Sequence, residues 1–468
     1  YIASGAQAEA AGDLQVSYHA GLVSAREEKA LGVNVNFDPC VDILYNWRNT
    51  IVNTRAYGTD AETVIKYTNA YLDGLTAENG ENMEDGVIQC IKHFPGDGTE
   101  ERDQHLVLGV NELSPEEWRA SFGKVYQNHI DRGVEMIMAG HIAVPALQKE
   151  LNPALEDKDI MPATLAEELI QDELKTELGF NGLVITDATH MLGMTSAMRR
   201  EDYVPKSIAA GCDMFLFFNN IEEDFGFMLK GYQNGVITEE RLTDALRRIL
   251  GLKAKLHLPE KQANGTLLRT REDLNVIGCE EHLQWRAEAA DKGISLIKDT
   301  QNNLPINPVD HKRIRLYMLE GEKGGITDNG SKAQQLFVDE LTKRGYEVTV
   351  NERGSRVKGA TLKYRDEVDF ALEVADIAGY GAQNNYRIQW STAMANEVPW
   401  FVWEVPHAFV SLNFTTHLHD ATMVKTFVNA YHNNEETIKQ VIDKLEGKSE
   451  FKGGHNDLVW TDKWQAKL

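Results

Sequence analysis

Between Val33 and about residue 258, short apolar runs of strand character alternate with longer stretches of helical periodicity. That alternation is the mark of βα units built around a parallel sheet. The strand runs are Val33–Phe37, Val87–Ile91, Val134–Ala139, Leu183–Thr186 and Met214–Phe218. Helices are expected over Asp60–Ala77, Pro115–Arg132, Ala163–Leu178 and Glu239–Leu256. In the last of these Leu242, Ala245, Ile249, Leu252 and Leu256 share one face, and Thr238 stands where an N-cap belongs. Polar side chains gather at the strand ends: Asp38 and Asp42, Lys92 and His93, His141, Asp187, Asn219. In a (β/α)8 barrel of the TIM type all such ends meet at one mouth, and that is the expected fold class.

At 468 residues the chain exceeds one ordinary domain, and 42% hydrophobic residues suffice for full cores. A helical stretch over Leu14–Leu31 leads into the first strand, and the barrel domain is expected to occupy residues 1–258. Residues 259–285 are polar and weakly patterned and read as a linker that runs into a helix over Glu280–Lys292. Residues 286–468 read as a smaller αβα sandwich, with strands at Ile314–Leu319, Glu347–Val350, Phe370–Val374, Trp400–Val405 and Phe409–Phe414. Helices at Lys332–Arg344 and Glu435–Leu445 complete it.

A net charge of −24 argues against nucleic acid or an anionic membrane as partner, because phosphate binding needs a basic surface. No apolar run approaches the roughly 18 residues of a membrane span. Tyr1–Ala6 has neither the basic region nor the apolar core of a signal peptide. A cytoplasmic location is therefore the expectation, with a secreted or lipid-anchored form as the alternative. Cys40, Cys90, Cys212 and Cys279 are too scattered for a zinc pattern and too few for a disulfide framework. No cofactor is expected, and nothing in the sequence bears on oligomeric state.

Three clusters carry candidate chemistry. The first follows the apolar run Val87–Ile91: Lys92-His93-Phe94-Pro95-Gly96-Asp97-Gly98 and then, after four residues, Asp103-Gln104-His105. Asp103 can orient His105 and raise its pKa, which makes the imidazole a proton donor near neutrality. Alone, an Asp-x-His pair in a surface loop is unremarkable. Lys92 and His93 offer donors suited to sugar hydroxyls, or else a salt bridge and a satisfied core histidine. In the second cluster Asp187 ends an all-apolar strand, where a buried charge is costly unless it faces a mouth. It reads as a nucleophile or, equally, as the N-cap of the next helix. In the third, Arg55 within Asn53–Gly58 offers a cationic fork for ligand hydroxyls or an acetamido group, or a simple ion pair with Asp42. His93, Asp97, Asp103 and His105 would also suit a metal hydrolase, but Lys92 and Pro95 break any ligand spacing, and no metal is expected.

The Lys92–Gly98 loop followed by Asp103-x-His105 resembles the signature loop of the β-N-acetylglucosaminidases of glycoside hydrolase family 3. The β-glucosidase branch lacks the Asp-x-His pair. Val35–Asp42, Asn53–Gly58, Met138–Ile142, Ile185–Ala188 and Ala210–Met214 resemble further units of that family's barrel. Ala290–Pro305 and Ser449–Gly453 resemble the two-domain members that append an αβα sandwich. The resemblance implies a retaining, exo-acting enzyme that removes non-reducing terminal N-acetylglucosamine through a covalent glycosyl-enzyme. Asp187 would be the nucleophile, His105 oriented by Asp103 the acid/base, and Arg55, Lys92, His93 and His141 the sugar-binding residues. A histidine then replaces one of two carboxyl groups usually about 5 to 5.5 Å apart. A neutral imidazole repels an anionic acceptor less than a carboxylate does, so phosphorolysis is an alternative, as are a β-glucosidase and a non-catalytic sugar-binding relative. The resemblance also implies two further βα units ahead of Leu14, with a substrate-binding aspartate and basic residues that this sequence does not contain.

Overall fold

The computed structural model describes residues 2–80, 82–83, 86–321, 331–378 and 386–468. Contacts divide the chain into two units, one of residues 1–2 and 17–283 and one of residues 3–16 and 284–468.

The first unit is built on a parallel sheet of β1 (Val35–Asn36), β2 (Ile88–Phe94), β3 (Met136–Ala139) and β4 (Leu183–Thr186), hydrogen-bonded in that order. Met214 continues the order by a parallel bridge to Ile185. The expected run Met214–Phe218 is thus a single bridge and not a strand. Parallel neighbours in sequence order, each joined by a helical crossover, make the barrel-type topology. Among the described residues the sheet spans these five positions of the expected (β/α)8 ring. Ile88, Cys90, Met136, Met138, Leu183 and Ile185 form its core, with Ile249, Leu252 and Leu256 packed on it.

The crossover helices follow their caps. Asp60 accepts from the Thr63 N–H at 3.0 Å to start α2 (Ala61–Thr76), and Thr238 accepts from the Arg241 N–H at 3.1 Å to start Glu239–Lys255. The stretch expected as one helix over Pro115–Arg132 widens into a π-type turn at Arg119–Gly123, and Ala163–Leu178 resolves into a 3-10 turn and a π-type helix. Where α1 (Leu14–Ala30) crosses α2, Gly21 and Gly74 face each other's backbones. A Cβ at Gly74 would lie 1.9 Å from Tyr18 O, and one at Gly21 would lie 1.9 Å from Tyr71 O. Backbone cannot yield as a side-chain tip does, so Gly74→Ala is expected to destabilise by about 3 kcal/mol. A urea midpoint unchanged from the parent would refute that contact.

The second unit is a six-stranded sheet. In chain order its strands are β5 (Ser295–Asp299), β6 (Arg313–Glu320), β7 (Glu347–Val350), β8 (Phe370–Asp376), β9 (His407–Ser411) and β10 (Thr426–Asn429). They lie in the order β5-β10-β9-β8-β6-β7, all parallel except β5. On one face Phe337 and Leu341 of Ala333–Lys343 and Ile438, Val441 and Leu445 of Glu435–Leu445 close the core. On the other face Tyr364 of the short helix Thr361–Glu367 packs with Tyr317 and Phe401. Trp400–Val405, expected as a strand, is a turn in which Phe401 O accepts from the N–H groups of Glu404 and Val405. Within the stretch read as a linker, Leu258–Asn264 is helical.

Candidate active site

Strand β2 delivers Lys92 and His93 to the end of the sheet that also carries Asp42, His141 and Asp187. Gly98 lets the following loop turn back. Its φ is +106°, and a Cβ there would sit 2.1 Å from Ile43 O, so only glycine fits.

His93 is buried, and its ring joins two carboxylates. Nδ1 donates to Asp42 Oδ2 at 2.7 Å, while Nε2 stands 3.9 Å from Asp187 Oδ2 and 3.5 Å from Arg55 Nη2. Asp42 is wholly buried, and burial opposes its charge. The charge and hydrogen bond of His93, the Asp97 N–H at 2.7 Å and the Cys40 thiol at 3.0 Å outweigh that penalty and hold Asp42 at about 2. The open choice between an Asp42–Arg55 ion pair and a ligand-facing Arg55 is thereby narrowed, since Asp42 turns to His93. Burial and the nearby charge of Asp42 push Asp97 up to about 7, although Asn49 and the Gly98 N–H donate to it at 2.9 and 2.6 Å. Lys92 is half-buried, and its ammonium makes no hydrogen bond or ion pair with the described residues.

Asp187 is not a helix cap. The next helix begins at Leu192, and Asp187 Oδ1 accepts from the neighbouring Ala188 N–H at 2.7 Å. Burial acts against its ionisation, but His93, His141, the Ala188 N–H and His105 together hold its pKa below the usual carboxylate range. His105 donates from Nδ1 to Asp103 Oδ1 at 2.6 Å, and the same oxygen accepts the His105 backbone N–H at 2.9 Å. Asp103 is fully buried and the His105 side chain is 36% exposed, so the imidazole is held from beneath and open above. Burial disfavours the imidazolium, yet the bond and charge of Asp103, with the charge of Asp187, raise its pKa above the usual histidine value.

His141 stands apart from this group. Its Nε2 donates to Ala188 O and its Nδ1 accepts from Thr164 Oγ1, each at 2.9 Å, and burial pushes its pKa down. A neutral ring with both nitrogens engaged steadies the loop that bears Asp187 and has no donor left for a sugar. Gln104 was not singled out by the sequence reading. Its Oε1 accepts the His141 N–H at 2.7 Å and its Nε2 reaches Asp97 at 3.4 Å, which links two strand ends. Asp42 was likewise missed as the partner of His93, and Cys40 as a donor to Asp42. The spacing Cys40-x-Asp42 beyond a strand end was their only signal. Among the described residues His93, Asp97, Asp103 and His105 do not converge as metal ligands; the group that does, Cys40, Asp42 and His93, is internally hydrogen-bonded.

The model of the Glycosyl hydrolase family 3 N terminal domain matches residues 3–252. A "Beta-N-acetylglucosaminidase/beta-glucosidase" of Cellulomonas fimi is 39% identical over 473 residues, which take in 100% of this chain and 82% of that protein. A "Beta-hexosaminidase A" of Pseudoalteromonas piscicida is 27% identical over 300 residues, 62% of this chain and 48% of that one. The solved structure of "Beta-glucoside phosphorylase BglX" is 38% identical with a TM-score of 0.93, covering 100% of this chain and 82% of its own. The chain thus spans most of the first relative and about half of the hexosaminidase.

Proposed function

The chain belongs to glycosyl hydrolase family 3, and from that premise we propose that it cleaves terminal β-linked N-acetylglucosamine or glucose with retention of configuration. The observation that carries the reading is the pairing of an ionised Asp187 with a half-open imidazole braced by buried Asp103. Asp187 attacks the anomeric carbon and displaces the leaving oxygen, which takes the proton from His105 Nε2. In the second step the neutral imidazole removes a proton from water, which attacks the same carbon and releases Asp187. Arg55, Lys92 and His93 bind the sugar hydroxyls, with Asp42 fixing the tautomer of His93. His141 positions the Asp187 loop.

A second reading concerns the acceptor. A carboxylate base at this position would repel phosphate by charge, whereas a neutral imidazole does not. The structural relative titled a phosphorylase, at 38% identity, favours phosphate as an acceptor. The test is turnover of aryl β-N-acetylglucosaminide and aryl β-glucoside with and without inorganic phosphate. Release of the β-sugar or its α-inverted anomer decides retention, and sugar 1-phosphate appearing in place of free sugar decides the acceptor. Absence of turnover on both substrates under both conditions refutes the reading.

The proton states give a pH profile. The ionised Asp187 is present above a pKa that lies below the ordinary carboxylate range, so activity persists down to low pH. The protonated His105 is lost as pH rises through a pKa above the ordinary histidine value, so the alkaline limb of kcat/KM lies beyond that of a free imidazole. Asp103→Asn removes the charge that raises His105 and is expected to move that limb to lower pH. A limb that stays in place assigns it to another group.

A further inference from the structure

We propose that Asp97 is a positioning residue for the donor sugar: its carboxyl seats the loop that bears Arg55 against the end of β2 and so fixes where the guanidinium meets the substrate. The proposal rests on the glycosidase reading above, in which Arg55 binds the sugar hydroxyls. Asp97 Oδ1 accepts from Asn49 Nδ2 at 2.9 Å, and the same amide donates to Glu100 O at 2.8 Å. Two points of the loop after β2 therefore grip one Asn49 side chain. The other end of that side chain shapes the approach to Arg55. Asn49 Oδ1 accepts from the N–H groups of Ile51 and Val52 at 3.1 and 2.7 Å, and Val52 O accepts the Arg55 N–H at 2.6 Å to open the turn Asn53–Arg55. The relay ends at the Arg55 guanidinium, 3.5 Å from His93 Nε2.

Burial gives these bonds their weight. Asn49 is 0% and Asp97 6% exposed, so water does not take the place of a lost partner. The rest of the loop is held independently. The N–H groups of Tyr45 and Asn46 donate to Gly98 O at 3.0 and 2.9 Å, and the Leu44 N–H donates to Gly58 O at 3.1 Å. Loss of the Asp97 carboxyl thus loosens the middle of the connection between β1 and α2, where Arg55 sits, and leaves its anchored ends in place. His93 keeps its own anchor, because Asp42 is reached by His93 Nδ1 and by the Asp97 backbone N–H, and a change of the Asp97 side chain spares both. The carboxyl therefore acts on the Arg55 side of the sugar clamp, and that selectivity separates positioning from general support of the site.

The test is a double-mutant cycle, which reads whether Asp97 acts through Arg55. The substrate is an aryl β-glucoside or an aryl β-N-acetylglucosaminide, whichever the parent turns over. Asp97→Ala is expected to lower kcat/KM about 10- to 100-fold, the cost of a misplaced binding group. In that background Arg55→Ala is expected to cost less than in the parent by about fivefold or more, while Lys92→Ala, whose ammonium bonds to none of these groups, costs the same in both. Asp97→Asn keeps an oxygen for Asn49 and the Gly98 N–H, although it sets an amide against Gln104. It is expected to recover most of the activity and the full cost of Arg55→Ala. Should Asp97→Ala not fold, Asn49→Asp breaks the same bond from the other side, keeps its oxygen for Ile51 and Val52, and is expected to give the same cycle. Costs that multiply for Arg55 overturn the proposal, as does a cycle equally non-additive for Lys92 or an Asn variant no better than Ala. Should the parent turn over neither substrate, the glycosidase reading fails by itself. The seating of the loop is then judged by amide hydrogen exchange over residues 49–56: faster exchange in Asp97→Ala with parental exchange in Asp97→Asn supports it, and any other pattern overturns it.

Discussion

Asp187→Ala is expected to lower turnover of an aryl β-N-acetylglucosaminide on the order of 10⁴-fold or more, equivalent to about 5.5 kcal/mol of barrier, while the protein stays folded. The size follows from the role: without the carboxylate there is no covalent intermediate, and the remaining residues only bind and protonate. That folding survives follows from the contacts. Asp187 accepts one hydrogen bond, from the adjacent Ala188 N–H, and its side chain is 13% exposed at a strand end. Its removal relieves the desolvation of a charge but also gives up the attraction of the neighbouring imidazoles that outweighs it, and it leaves His93 anchored through Nδ1 to Asp42. The expected pair of results is cooperative thermal unfolding with at most a small drop in midpoint, and lost activity. A parent treated with a 2-deoxy-2-fluoro glycoside should gain the mass of one sugar on the peptide bearing Asp187. Near-normal activity of the variant, or labelling elsewhere, removes Asp187 as nucleophile.

Much of this site was legible because its parts sit at fixed places relative to strand ends. A carboxylate closes Leu183–Thr186, four buried residues of which three are apolar, and the structure starts no helix for it to cap until Leu192. The Asp103–His105 pair was local, two residues apart, and so visible in the text. The partners of His93 were not visible, because Asp42 lies 51 residues earlier and meets it only when β1 and β2 pair. His141 illustrates the converse. As a residue type at a strand end it read as a sugar ligand, but the three-dimensional arrangement supplies Thr164 and Ala188 O, which engage both nitrogens. In the second unit the strands missed were the short β5 and β10, of five and four residues. Each holds only two adjacent apolar residues, Leu296-Ile297 and Phe427-Val428, without the alternation that marks Glu347–Val350, and tertiary pairing decides them. Trp400–Val405 erred in the opposite direction: its aromatic and β-branched residues suit a strand, but in the turn Trp400, Phe401 and Val405 pack with Tyr317 and Tyr364 while Trp403 points to solvent at 73% exposure.

His105→Ala carries the second large effect, and its size depends on the substrate. An alkyl or sugar leaving group departs as a strong base and needs its proton in the transition state, so removing the acid is expected to cost about 10²–10⁴-fold. A glycosyl fluoride or dinitrophenyl glycoside leaves as a weak base and needs none, so glycosylation of Asp187 proceeds. The second step then becomes limiting, because water has lost its base, and the glycosyl-enzyme accumulates as a burst of leaving group. An anionic nucleophile that needs no base, such as azide, is expected to restore turnover in this variant and to leave a β-glycosyl azide. The geometry supports that rescue: His105 Nε2 makes no hydrogen bond with the described residues, and its side chain is 36% exposed, so truncation opens a path beside Asp187 and takes a side-chain partner only from Asp103. Asp103 is buried and would lose its imidazole partner while keeping the residue-105 N–H, so Asp103→Asn in the same background separates the cost of leaving that charge without its imidazole from that of the missing acid. Equal losses on good and poor leaving groups, with no burst and no azide product, would place His105 in binding and leave proton transfer to another group.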